Sequence, residues 1–201
     1  MNYLAHLYLA NETPELIIGS ILGDFVKGTL QNLYTPDIRN GIELHRKIDS
    51  YTDSHQVVHA SKCIITAQRR RFAGIMIDLF YDHFLAKSWS QYSSISLYDF
   101  SQHVYGVLVE SQAILPDSLG KILPYMIEQN WLISYQEINH IGRALNGISR
   151  RLKRPNSLLN SAEELEWNYL LFEENFQIFF PELINFVEHH KECAISSAVR
   201  S

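Results

Sequence analysis

From about Phe72 to Trp89 the apolar spacing predicts a helix that Ile75, Ile77, Leu79, Phe80, Phe84 and Leu85 make hydrophobic nearly all round. A helix without a polar face belongs inside a protein. Yet this one holds Asp78, Asp82 and His83. A carboxylate carried into a core needs a hydrogen bond, a counter-charge or a metal. A fold for this chain has to bury the segment and still answer its acids.

A second stretch, GIELHRKIDSYTD from Gly41 to Asp53, repeats the pattern in a more polar setting. His45, Asp49 and Asp53 recur every four residues, as Asp78 and Asp82 do. Four residues is slightly more than one turn, so each series lies along one helix face, drifting slowly round it. Ile42, Ile48 and Tyr51 supply the buried stripe, which leaves the charged series at its edge. Two such faces packed together would bring carboxylates and imidazoles to one point, a donor set suited to Mn²⁺, Mg²⁺ or Zn²⁺. The alternative is a solvated face with His45 and Arg46 outward.

Asp24 in ILGDFVKG and His6 in NYLAHLYLA pose the same choice. Asp24 either faces solvent near a helix C-terminus, where the dipole disfavours an anion, or has a metal or an arginine beside it. His6 is either a satisfied core histidine or a ligand, with Asn2 one turn before it.

The rest of the chain is helical in period. Pro and Gly are scarce, 6 and 9 in 201 residues, and no segment alternates convincingly. After a short helix from Asn2 to Ala10, Thr13-Pro14 and Thr35-Pro36-Asp37 each supply an N-cap and a first-turn proline. Ser54 is read as the cap of a helix to about Arg70. Further helices follow over Leu97 to Ala113, Ser118 to Gln129 and Gln136 to Leu152, with a break at Pro155. Ser161 and Glu164 form a capping box for an aromatic-rich helix ending near Phe180. Pro181 is expected to begin the last helix, with fraying from Ile195 to Ser201. The expectation is an all-α, single-domain bundle of about nine to ten helices over residues 1–201, those after about 155 forming a C-terminal extension packed on the rest.

A net charge of −5 argues against a protein that holds nucleic acid by overall positive charge. Two basic clusters nevertheless stand out: Arg69-Arg70-Arg71, and Arg143, Arg150, Arg151, Lys153 and Arg154. They either complement helix C-termini or dock phosphate or an acidic protein. Cys63 and Cys193 are too few for a disulfide framework or a structural zinc site. Without a basic leader or an apolar run of about 18–20 residues, a reduced, cytoplasmic protein is expected, with no membrane partner. No glycine-rich phosphate loop and no Gly-x-Ser-x-Gly elbow supports nucleotide triphosphate or serine-hydrolase chemistry.

MNYLAHLYLA, ILGDFVKG, GIELHRKIDSYTD, DLFYDHFLAKSW, ILPD, NWLISY and LNGISRR, in that order, resemble the acyl carrier protein phosphodiesterase family from residue 1 to about 154. The resemblance implies hydrolysis of the phosphodiester between 4′-phosphopantetheine and a serine of holo-acyl carrier protein. It also implies an HD-domain-like helical fold and a divalent cofactor, Mn²⁺ above all, with Mg²⁺ or another ion as substitute. The family's aspartate falls on Asp24, its opening histidine on His6, and its paired positions on His45-Arg46 and Asp82-His83. Tyr8 stands where some members have a second histidine, and Asp82-His83 reverses the HD order.

The expected metal ligands are therefore Asp24, His45, Asp49, Asp82 and His83, supported by Asn2, Asp53 and Asp78. Asp24, His6, His45, Arg46 and His83 are expected to carry the chemistry: Arg46 neutralises phosphate oxygens and His6 or His83 protonates the leaving serine. Acyl carrier protein is strongly acidic, and Arg69, Arg70, Arg71, Arg150, Arg151 and Arg154 are the expected steering residues. The rival readings are an HD-like phosphohydrolase of nucleotides or other small phosphodiesters, a non-catalytic module that grips acyl carrier protein, and a structural bundle with incidental acids.

Overall fold

The computed structural model describes residues 2–30 and 33–198, with side chains to residue 192. It is all-α among the described residues, with eleven α-helices, two of them only a turn long, and three 3₁₀ turns. The first three helices are α1 (Tyr3–Leu9), α2 (Pro14–Leu22) and α3 (Pro36–Ser54). The middle of the chain forms α4 (Gln56–Ile64), α5 (Ala73–Lys87) and α6 (Leu97–Glu110). Then come α7 (Asp117–Glu128), α8 (Trp131–Ser134) and α9 (Ile138–Arg151), and finally α10 (Glu163–Trp167) and α11 (Tyr169–Ala198).

The hydroxyl of Thr13 accepts from the Leu16 N–H, and Thr35 does the same for Ile38, so both predicted starts are built as capped helices with proline in the first turn. α5 is buried nearly all round, as its sequence requires: from Leu79 to Ala86 every residue is buried. It packs against α1, α4, α9 and α11, and the apolar core runs continuously from Leu4 to Val187.

α2 and α3 pack closest of all. At Gly19 an added Cβ would lie 2.2 Å from the Ile38 carbonyl oxygen and 2.7 Å from the Cα of Gly41. Backbone meets backbone there, which only glycine on both sides permits. This close crossing sets the height of α3, and with it His45 and Asp49, against the end of α2.

Three predicted helix starts are corrected. Ser161 and Glu164 form no capping box: Ser161 donates to the Leu158 carbonyl and the Glu164 carboxylate accepts from Thr66 and Arg69. α4 is capped by the His55 ring rather than by Ser54, and it stops at Ile64 instead of running to Arg70. Ile65 turns extended, and Arg70 folds back to donate to the carbonyls of Cys63 and Ile65. Pro181 does not begin a new helix; α11 passes straight through it. The proline ring sits on the exposed side, while Phe172, Phe176, Phe179, Phe180, Leu183 and Val187 keep one face of α11 buried. That burial outweighs the loss of one backbone hydrogen bond. α11 stays helical to Ala198, and the rest of the predicted frayed end lies outside the described residues.

Candidate functional site

Three segments meet at one point: the buried side of α1, the turn that leaves α2, and the middle of α3. α1 contributes His6, whose backbone carbonyl accepts from Ser20 Oγ at 3.0 Å and ties α1 to α2. The turn contributes Gly23 and Asp24. α3 contributes His45 and Asp49, one turn apart as their spacing requires.

The His6 and His45 rings stack with centroids 3.8 Å apart and 15° between planes. Both are buried, 2% and 3% exposed. Asp49 reaches both: Oδ1 lies 3.1 Å from His6 Nε2 and Oδ2 lies 3.2 Å from His45 Nε2. Asp24 Oδ1 stands 3.6 Å from the same His45 nitrogen. The two carboxylates are each about half exposed, so the cluster opens to solvent on their side. One donor atom from each of His6, His45 and Asp49 lies within 4.8 Å of the others.

The two imidazoles differ in charge. Burial dominates at His6 and pushes it down to about 4, although Asp49 pulls the other way. Burial also opposes charge on His45, but the Asp24 and Asp49 carboxylates beside its Nε2 overcome it and lift the ring to about 9. Asp49 is held well below the carboxylate range: burial would raise it, and His45 and His6 together pull it down.

The site fits a divalent cation on two observations. His6 Nε2 is close enough to Asp49 for a hydrogen bond but misaligned, so it and the Nδ1 atoms of both rings are buried without a hydrogen-bond partner. Such orphans carry a cost that a bound ion would remove at the nitrogen facing it. Imidazole with carboxylate oxygen is also the donor set of Mn²⁺, Fe²⁺ and Zn²⁺ sites.

Gly23 is part of this geometry, and the sequence reading did not single it out. A Cβ there would sit 2.2 Å from Cγ of His45. Its small size lets the α2 turn close over the imidazole. The signal in the sequence is only a glycine before Asp24.

Beyond the cluster lies a cleft of about 500 Å³ between residues 28–30 and the first half of α3, lined by Thr29, Leu30, Arg39, Asn40, Glu43 and Arg46 among others. Arg46 joins the two regions. It follows His45 in sequence, and its guanidinium donates to the Val26 carbonyl at 3.0 Å, two residues past Asp24.

Asp82 and His83, both among the expected ligands, are not brought into this cluster. Asp82 is fully buried, and its carboxylate accepts from the backbone N–H groups of Asn2, Leu4 and Ala5 at 3.3, 2.8 and 3.3 Å. It caps α1, where the dipole favours an anion. Burial pushes its carboxyl up to about 7, against the pull of the Leu4 and Ala5 N–H groups. His83 uses both ring nitrogens elsewhere, on the Tyr135 carbonyl at 2.8 Å and the Tyr169 hydroxyl at 3.1 Å.

The supporting residues scatter too. Asn2 gives its side-chain amide to Tyr135 Oη at 2.9 Å. Asp53 pairs with Lys62 at 2.7 Å on the surface, and Asp78 lies half-buried one turn before Asp82.

Among the arginines, Arg69 pairs with Glu163 and the buried Glu164, each at 3.4 Å. Glu164 also accepts from the N–H and hydroxyl of Thr66. With Arg70 folded onto α4, two of the expected steering residues have internal partners. Arg71, Lys153 and Arg154 line a second cleft of about 320 Å³ with Phe72 and Leu152, and Arg150 and Arg151 are exposed nearby in sequence.

A family model described as acyl carrier protein phosphodiesterase matches residues 1–183, a span that holds every residue of the cluster. A protein of Serratia proteamaculans named acyl carrier protein phosphodiesterase is 35% identical over 185 residues, covering 92% of this chain and 96% of its own. A Klebsiella pneumoniae protein of the same name is 35% identical over 193 residues, 94% and 98% of the two chains. One from Escherichia coli O157:H7 is 34% identical over 189 residues, 92% and 96%. No solved structure gives a significant match.

Proposed function

Because the chain belongs to the acyl carrier protein phosphodiesterase family, we propose that it hydrolyses the phosphodiester linking 4′-phosphopantetheine to a serine of holo-acyl carrier protein, with a divalent cation, Mn²⁺ first, held by His6, His45, Asp49 and Asp24. The observation that carries this reading is the family match across the whole of the segment that builds the cluster. The orphaned nitrogen of His6 supports the cation.

A divalent ion in such a site supplies Lewis acidity, neutralising phosphate oxygens and making water more acidic. The chain's own residues do the rest. Asp24 and Asp49, half exposed at the mouth of the cluster, hold and orient the attacking water. Arg46, fixed through Val26, offers N–H donors to the phosphoryl oxygens as negative charge grows on them. A new oxygen–phosphorus bond forms and the bond from phosphorus to the serine oxygen breaks. That oxygen takes up the proton that the attacking water gives up at the Asp24 and Asp49 carboxylates; the imidazoles would be engaged in holding the cation, and both His83 nitrogens are bonded elsewhere. The products are apo-acyl carrier protein and 4′-phosphopantetheine.

The carrier would approach over the surface that bears Arg71, Arg150, Arg151, Lys153 and Arg154, since opposite charge steers association. Among the described residues no helix is long and apolar enough to cross a membrane.

The test is the intact mass of holo-acyl carrier protein after incubation with the enzyme and Mn²⁺. The carrier should lose the mass of 4′-phosphopantetheine, a chelator should stop the loss, and Asp24→Asn should nearly abolish it with a melting temperature near wild type. Unchanged carrier mass would leave a binding protein, and an active Asp24→Asn would remove that residue from the reaction.

A further inference from the structure

The cleft beside the cluster has no role in the chemistry above, yet it opens at the residue that links it to that chemistry. Arg39, Glu43 and Arg46 follow one another at four- and three-residue intervals, so they share a face of α3. His45 and Asp49 lie on the neighbouring face, and Arg46 is the cleft residue closest to them in sequence and height. The opposite wall, residues 28–30, continues directly from Asp24 through Val26. A molecule lying along the cleft thus has one end at the cluster and the other among Arg39, Asn40 and Thr29.

The lining says what kind of molecule. A pocket for a free anion would present donors alone, but Glu43 puts a carboxylate between the two arginines on the same face. Asn40 and Thr29 each offer both donor and acceptor, and Leu30 and Pro36 add an apolar patch. That mixture suits a chain of amides and a hydroxyl with a branched aliphatic section, attached at one end to a phosphate. A volume of about 500 Å³ is in the range of small-molecule sites.

We propose that this cleft seats the pantetheine arm of the prosthetic group, with its phosphate end at Arg46. The inference rests on the phosphodiesterase reading and adds that specificity for the arm is read by residues 28–30 and the first half of α3, apart from any surface that holds the carrier protein.

Two single substitutions at exposed positions on opposite walls test it, Asn40→Trp and Thr29→Trp, each checked by melting temperature against wild type. Calorimetry with Mn²⁺ present uses free 4′-phosphopantetheine and inorganic phosphate as the two probes. Wild type should bind 4′-phosphopantetheine at least tenfold more tightly than phosphate, and each variant should lose at least tenfold for the former and under twofold for the latter. With holo-acyl carrier protein the variants should raise KM at least fivefold and change kcat less than twofold. Two folded variants that bind 4′-phosphopantetheine as wild type does overturn the proposal, as does a wild type that treats the two probes alike. A wild type that never shortens the carrier's mass sinks the phosphodiesterase reading itself, a result distinct from either.

Discussion

The imidazoles of His6 and His45 lie face to face, 3.8 Å between centroids, and both touch the one carboxylate of Asp49. Two cationic rings at that separation would repel, and the site avoids this by charging only His45. Its ring is raised to about 9 from an ordinary 6.5, burial resisting and Asp24 and Asp49 prevailing. A raised histidine binds a proton in the folded state that the unfolded chain has released. Its contribution is therefore fully present below about 6.5 and is lost as pH rises through about 9. In metal-free protein the stability gap between wild type and His45→Gln should shrink steadily from pH 6.5 to pH 9.5, as read by urea unfolding. A gap that is flat or widens over that window contradicts the assignment.

A cation held in the cluster would compete with the His45 proton for the same nitrogen, so its binding would release a proton. The rise in melting temperature caused by a fixed Mn²⁺ concentration should grow between pH 6.5 and pH 8.5 and vanish with chelator. Asp49→Asn should weaken Mn²⁺ at least tenfold in titration calorimetry, because Asp49 lies within 3.2 Å of both rings. An Asp49→Asn protein with wild-type Mn²⁺ affinity would displace the site.

The cluster was only half legible in the sequence. The Thr13-Pro14 and Thr35-Pro36 starts are local signals and could be read directly, and the burial of α5 follows from its own apolar surface. Asp49 and His45 share a face by spacing alone. What no single helix reveals is which element lies opposite. The acids of α3 and α5 each have the right spacing to face one another, but α3 faces α1 and the Gly23-Asp24 turn, while Asp82 of α5 meets the amides at the start of α1 that have no partner within the helix. A buried aspartate needs partners, and a helix N-terminus meets that need as well as an ion does. Pro181 was misread for a related reason: its local signal is strong, but the buried phenylalanine face of α11 extends past it.

Asp82 as an N-terminal cap predicts a stability phenotype rather than a metal phenotype. Asp82→Ala strands the N–H groups of Leu4 and Ala5 inside the protein and should cost about 3 kcal/mol in denaturant unfolding near pH 6. Its carboxyl, pushed up to about 7 by burial, keeps a proton that the unfolded chain gives up near 4, so its presence makes wild type less stable as pH rises from about 4 to about 7. The cost of Asp82→Ala should accordingly be larger at pH 5 than at pH 8. Normal stability combined with a tenfold loss of Mn²⁺ affinity would return Asp82 to the ligand set.

Gly23→Ala sets a local preference against a tertiary one. Gly23 has right-handed helical angles, φ −51° and ψ −37°, at the end of α2. Alanine is the better residue for that backbone by about 1 kcal/mol, so propensity alone predicts a more stable protein. The added methyl, however, would stand 2.2 Å from Cγ and 2.4 Å from Cδ2 of His45. The ring is buried and stacked on His6, so it cannot yield without leaving Asp24 and Asp49. Sterics of this size exceed the propensity gain. Gly23→Ala should weaken Mn²⁺ at least tenfold, lower hydrolysis of holo-acyl carrier protein about a hundredfold and reduce the melting temperature. A Gly23→Ala protein that melts higher and binds Mn²⁺ as wild type does would mean that His45 is not held where the cluster requires it.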